Sequence, residues 1–110
     1  MARILAVAPE LMFASRIEAV LTAEGHEVKL ASSAAEAASH AAADVVVADL
    51  DRESSEALAG LGVPVLGYYS HVEVETRRRA EAAGVDLVVP RSRLARELPA
   101  LVGRLLASPR

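Results

Sequence analysis

Residues 44–51 read DVVVADLD. Three consecutive valines and an alanine form an apolar run without alternation, the pattern of a strand buried on both faces in a parallel sheet. The run ends in acid, at Asp49 and Asp51. In an open α/β sheet, side chains at the carboxyl ends of the strands face the crevice where ligands and chemistry sit. This one stretch therefore predicts both a layered architecture and the place where function should be sought.

Working outward, similar apolar runs alternate with alanine-rich stretches of helical spacing, which is the signature of repeated βα units around a parallel sheet. Residues 3–8, 26–31, 44–49, 64–69 and 86–89 predict five strands. After the first, Phe13, Ile17, Val20 and Leu21 share one helical face, and Gly25 stops the helix. Ser33 followed by Glu36 is a capping box that opens the second helix, which is expected to run to about Ala42. A short third helix is expected over residues 54–59, ahead of Gly60 and Gly62. Ser70 with Glu73 forms another capping box, and the fourth helix runs through Arg77, Arg78 and Arg79 to Gly84. After Pro90 a turn is expected over residues 92–97. Pro99 then suits the first turn of a last helix whose Leu101, Val102, Leu105 and Leu106 point inward.

Five βα units in 110 residues suit a flavodoxin-like (βα)5 three-layer sandwich, an α/β fold with a parallel five-stranded sheet of order 2-1-3-4-5. In that order the crevice opens between the first and third strands. Its residues are expected at Ala8, Pro9, Glu10, Asp49 and Asp51, with neighbours from residues 68–71 and 89–91.

Composition narrows the function. With 53% hydrophobic residues, the chain can fill one core, so residues 1–110 are expected to form a single domain. The absence of cysteine excludes a disulfide framework, a thiolate metal site and a cysteine nucleophile. The amino-terminal MARILAVAP carries one arginine and too short an apolar run for a signal peptide or membrane span, so a cytoplasmic location away from membranes is expected. A net charge of −3, with no aromatic ladder or helix-turn-helix, argues against nucleic acid as a partner. His26, His40 and His71 lack metal-ligand spacing, and no metal site is expected. The APELMFAS segment after the first strand has no glycine, so it cannot form a glycine-rich phosphate loop. Ser70, His71 and Asp49 can be combined into a hydrolase triad only on paper, since adjacent side chains diverge and no nucleophile elbow is present. Neither a cofactor nor an enzymatic activity is expected.

The segments ILAVAPE, GHEVKLASSAAEA, ADVVVADLD, VPVLGYYS and AAGVDLVVP together resemble the CheY-like receiver domains of two-component response regulators over nearly the whole chain. The resemblance implies an acidic pair after the first strand, a phosphate-accepting aspartate ending the third, a hydroxyl ending the fourth, and a lysine before a proline ending the fifth. Here Asp49 takes the aspartate position. Ala8 and Pro9 stand where the acidic pair is implied, with Glu10 the nearest acid. Tyr69 takes the hydroxyl position with Ser70 beside it, and Val89 precedes Pro90 where lysine is implied. Lys29, the only lysine, belongs to the second strand, while Arg91 follows the proline and would have to reach back.

An isolated aspartate is a poor phosphate acceptor, because phosphoryl transfer depends on positioning and on charge stabilisation by metal and cations. Asp49 also reads simply as a strand-end carboxylate, solvated or capping the next loop. The expected function is a stand-alone pseudo-receiver that signals by protein–protein interaction without magnesium-dependent aspartyl phosphorylation. A divergent phosphorylatable regulator using Asp49 and a small-molecule or nucleotide-binding module on the same fold are the alternatives. Receiver resemblance also implies an interface, for a signalling partner or a homodimer, at the fourth helix and fifth strand. Val74, Arg77, Arg78, Leu87, Arg91 and Arg93 are its candidates. The competing reading of the arginines is a solvated helix balanced by Glu73, Glu75 and Glu81.

Overall fold

A computed structural model describes residues 2–38, 43–70 and 74–107, with Val74 described by its backbone alone. Among these residues five strands alternate with five helices: β1 (Arg3–Val7), α1 (Leu11–Ala23), β2 (Glu27–Ala31), α2 (Ala34–Ala37), β3 (Val45–Asp49), α3 (Ser55–Ala59), β4 (Val65–Tyr69), α4 (Val74–Ala83), β5 (Leu87–Pro90) and α5 (Arg91–Ala107). The strands form one sheet in the order β2-β1-β3-β4-β5, and every pairing is parallel. The expected (βα)5 architecture is therefore the one observed.

The valine-rich run is central because both of its faces are covered. Val45 and Val47 pack with Ile4, Ala6, Leu66 and Tyr68 against α1 and α5. Val46 and Ala48 pack with Leu5, Val7 and Val65 on the opposite side, toward α2, α3 and α4. The two-residue repeat of a strand divides these side chains between the layers. By the same parity Asp49 belongs to the side of the sheet that carries α1 and α5.

Local chemistry sets several element ends. Ser33 Oγ accepts the Glu36 N–H at 3.1 Å, and the Glu36 carboxylate reaches the N–H and hydroxyl of Ser32 at 3.0 and 2.6 Å. Ser54 Oγ accepts the Ala57 N–H at 3.2 Å and caps α3. Gly25, at φ +89°, follows α1 in a backbone conformation that a side chain would strain. The expected end of the second helix at Ala42 and the Ser70–Glu73 capping box fall on Ala42 and Glu73, which lie outside the described residues, as do His40 and His71. His26 Nδ1 accepts the Ala2 N–H at 3.2 Å, a packing role.

Two expectations about the last helix are corrected. Helix α5 begins at Arg91, directly after β5, so the segment expected to turn is helical up to a break at Glu97, where φ is −121° and ψ is 16°. Buried Leu94 and Leu98 continue the helical stripe of Leu101, Val102 and Leu105, and their burial favours helix over turn. The break sits where Pro99 lacks an N–H and its ring crowds the preceding turn, which leaves Pro99 in the first turn of the second segment. Leu106 is 39% exposed rather than inward, because it lies about 100° of helix rotation past Leu105.

Candidate functional site

The carboxyl ends of the strands place Asp49 in a row of side chains without charge. Asp49 pairs with Tyr68 across β3 and β4, and Tyr68 pairs with Val89 across β4 and β5. Val7 pairs with Ala48, so one further step of the same register sets Ala8 beside Asp49. Ala8, Tyr68 and Val89 all belong to the core beneath α1 and α5. Two positions that the resemblance assigns to charge, acid after β1 and lysine at the end of β5, are thus occupied here by buried apolar side chains.

Asp49 is 9% exposed. Its Oδ1 accepts the Asp51 N–H at 2.8 Å, and its backbone carbonyl accepts the Glu53 N–H at 3.0 Å. Burial pushes its carboxyl above the ordinary carboxylate range, because desolvation disfavours the charged form. The Asp51 N–H, Arg52 and Arg91 oppose that shift, while the Asp51 charge adds to it. Leu50, the next residue, folds over Gly67 of β4: a Cβ on Gly67 would stand 2.8 Å from Leu50 Cγ, Cδ1 and Cδ2. The glycine in this buried strand is what lets the chain after Asp49 lie so close.

Tyr68 is fully buried, and its hydroxyl is pushed well above the ordinary phenol range, first by desolvation and then by the Asp49 charge. Its ring meets Phe13 of α1 with centroids 5.1 Å apart at 60°. Phe13 in turn carries the Arg91 guanidinium 4.0 Å above its ring centroid, a cation–π contact. Both terminal nitrogens of Arg91 donate to Glu10, at 2.9 Å each. The hydrogen bonds to Arg91 hold the Glu10 carboxyl below its usual range and raise Arg91 further. Arg91 does reach back, but to Glu10, and it acts on Asp49 only through its field.

The remaining candidates fall around this centre. Asp51 is exposed, yet its Oδ2 accepts the Ser70 N–H at 2.7 Å and ties the loop after β3 to the end of β4. Tyr69 is buried at the hydroxyl position, and it is Tyr68 whose ring and field adjoin Asp49. Pro9 is exposed, and Pro90 ends β5. Tyr68 falls within the expected neighbours at residues 68–71, whereas Phe13 and Arg16 lie outside the site positions that the sequence indicates. The helical spacing of Phe13 signalled only burial, because its partners Tyr68 and Arg91 are distant in sequence.

The magnesium ion implied by receiver resemblance does not suit this donor set. Magnesium takes near-octahedral oxygen ligands, usually including one or two carboxylates. Ala8 and Pro9 offer none, Glu10 is held bidentately by Arg91, and Asp51 is engaged by Ser70. Among the described residues no three acidic or histidine side chains cluster as a metal site.

At the interface candidates, Arg77, Arg78 and Arg79 are all exposed. Arg77 lies 3.7 Å from Glu81, Arg78 4.0 Å from Glu75, and Arg93 3.3 Å from Glu97. Leu87 is half-buried against the core rather than displayed, and the side chain of Val74 lies outside the described residues. Among the described residues no helix is long and apolar enough to cross a membrane.

No protein-family model and no curated protein matches the chain. Solved structures do. The non-phosphorylated HemR receiver domain from Leptospira biflexa superimposes with a TM-score of 0.83 at 21% identity, covering 100% of this chain and 98% of that one. A CheY-like response regulator receiver domain protein from Methanospirillum hungatei gives 0.85 at 21% identity, over 96% and 94% of the two chains. NtrX from Brucella abortus, in complex with ADP, gives 0.81 at 23% identity over 96% of this chain, which spans only 27% of NtrX. At such identities the likeness concerns architecture, and the conclusion it carries is that this chain has the fold of CheY-like response-regulator receiver domains.

Proposed function

We propose that the domain is a receiver-like signalling module that works through protein–protein contact, independently of magnesium-dependent phosphorylation of Asp49. The observation that carries this reading is the row Ala8, Asp49, Tyr68 and Val89, in which a buried carboxylate has apolar or aromatic neighbours where a phosphoryl-transfer site needs charge. Losing a single preorganised stabiliser typically costs about 10²–10³ in rate. This site lacks the implied acidic pair and the implied lysine together. Glu10, the nearest acid, is neutralised by Arg91.

The partner surface in this reading is the exposed side of α4 with the adjoining β5 and the start of α5. Among the described residues Arg77, Arg78 and Arg93 pair only with glutamates of their own helices, at solvent-exposed sites. Such pairs contribute about 0–1 kcal/mol, so an acidic surface on another signalling protein, or on a second copy, can replace those contacts at little cost.

Incubation with acetyl phosphate and Mg²⁺, followed by intact-mass spectrometry, tests the reading. The expected result is no adduct. A gain of about 80 Da, the mass of a phosphoryl group, on the wild type and not on Asp49→Asn would overturn it in favour of a divergent phosphorylatable regulator.

A further inference from the structure

An open groove of about 430 Å³ lies where the ends of β4 and β5 meet the starts of α1 and α5. That volume is typical of small-molecule sites, which run from about 300 to 1,000 Å³. It lies on the carboxyl edge of the parallel sheet, the edge at which open α/β folds bind ligands, but beside β4 and β5 rather than at the strand-order switch between β1 and β3. Phe13, Pro90 and Ala95 supply apolar walls, whereas Arg16, Arg91, Ser70 and Ser92 supply polar groups. Among the described lining residues two are cationic and none is acidic, in a chain whose net charge is −3.

The polar groups are not equally available. Arg91 is engaged by Glu10, and the Ser70 N–H is engaged by Asp51. Arg16 differs. Of the two arginines that line the groove, Arg91 has a carboxylate at 2.9 Å, whereas Arg16, like Arg52, Arg79 and Arg104 elsewhere, has none within 4.0 Å among the described residues. An unpaired guanidinium beside two exposed serines and a wall of Phe13 and Pro90 offers a bidentate anion grip next to apolar surface.

We propose that this groove binds a small organic acid with an apolar body, its carboxylate held by Arg16 with the Ser70 and Ser92 hydroxyls and its body lying against Phe13 and Pro90. The site is separate from the Asp49 carboxylate, and it stands whether or not Asp49 accepts a phosphoryl group. Glu10 competes with the ligand for Arg91, which couples occupancy of the groove to the ion pair beside it.

Amide chemical-shift titration of the full chain with benzoate tests the proposal, with benzyl alcohol and inorganic phosphate as controls. Benzoate should give saturable shifts at Ser70, Ser92 and Ala95. Benzyl alcohol and phosphate should each bind at least about tenfold more weakly, a difference of about 1.4 kcal/mol. Arg16→Gln should weaken benzoate by a similar factor while melting at the wild-type temperature, and Glu10→Gln should tighten it by releasing Arg91. Absence of saturation, equal binding of benzyl alcohol or phosphate, or unchanged affinity in Arg16→Gln would each overturn the assignment. The acetyl phosphate experiment reads a different group, so the two proposals fail separately.

Discussion

Glu10, the N-cap residue of α1, and Arg91, the first residue of α5, are joined by two hydrogen bonds of 2.9 Å, across 81 positions of sequence. The Arg91 guanidinium lies 4.0 Å over the Phe13 ring centroid, and Phe13 meets Tyr68 at 5.1 Å between centroids. Positive charge that the resemblance places at the end of β5 is present in this fold, but it is displaced by two residues and committed to a carboxylate.

The Glu10–Arg91 pair should contribute stability with a defined pH signature. Its folded carboxyl lies below the ordinary value of 4.5, so the contribution is complete above that value and is lost as pH falls through the lowered folded value. Glu10→Gln should therefore melt below the wild type at pH 7, with the gap closing in acid. It should also shrink in about 1 M salt, where screening lengths fall to about 3 Å. Thermal melts across pH and salt read this directly, and a gap that persists unchanged at pH 3 would contradict it.

Asp49 should show the opposite slope. Its carboxyl is raised by burial above 3.8, so the charged form opposes folding and the penalty grows as pH rises from that value through the higher folded one. Asn preserves the shape and the acceptor for the Asp51 N–H while removing the charge. Asp49→Asn is expected to melt a few degrees above the wild type at pH 7, where about 1 kcal/mol corresponds to about 4–8 °C. The difference should disappear near pH 4. A variant less stable than the wild type at neutral pH would show that the charge is needed for folding.

Gly67→Ala should destabilise the domain by about 1–3 kcal/mol, the usual cost of overpacking a core. The new methyl would meet Leu50 at 2.8 Å. In a Leu50→Ala background the same change should cost much less, and a double-mutant cycle in urea would read that coupling. Additive losses would mean that Leu50 is not what the glycine accommodates.

Reversing charge at Arg77 and Arg78 should leave the fold intact, since exposed substitutions usually change stability by less than about 0.5 kcal/mol. Partner binding or self-association, measured by sedimentation or calorimetry, should weaken. Unchanged association in the folded double variant would remove α4 from the interface.

The sequence alone determined the architecture. The apolar run through residues 45–48, the capping serines and the five strand-like segments each encode local preferences, and a doubly wound sheet is the arrangement that satisfies them together. Pro90 and Pro99 bracket residues 92–97 and point to a turn in the sequence, but the segment is helical and buries Leu94 and Leu98. That position was resolved by burial, which outweighs local breaker signals. The site was legible only by position. Asp49, Ala8 and Val89 could be placed at strand ends from spacing, because strand parity and order are local consequences of the pattern. What covers Asp49 could not. The contacts of Phe13 with Tyr68, of Arg91 with Glu10 and of Asp51 with the Ser70 amide join elements far apart in sequence, and their geometry exists only once the helices pack on the sheet. Long-range side-chain partners, unlike strands and caps, leave no periodic trace in a single chain, so tertiary packing alone decided where this crevice carries its charge.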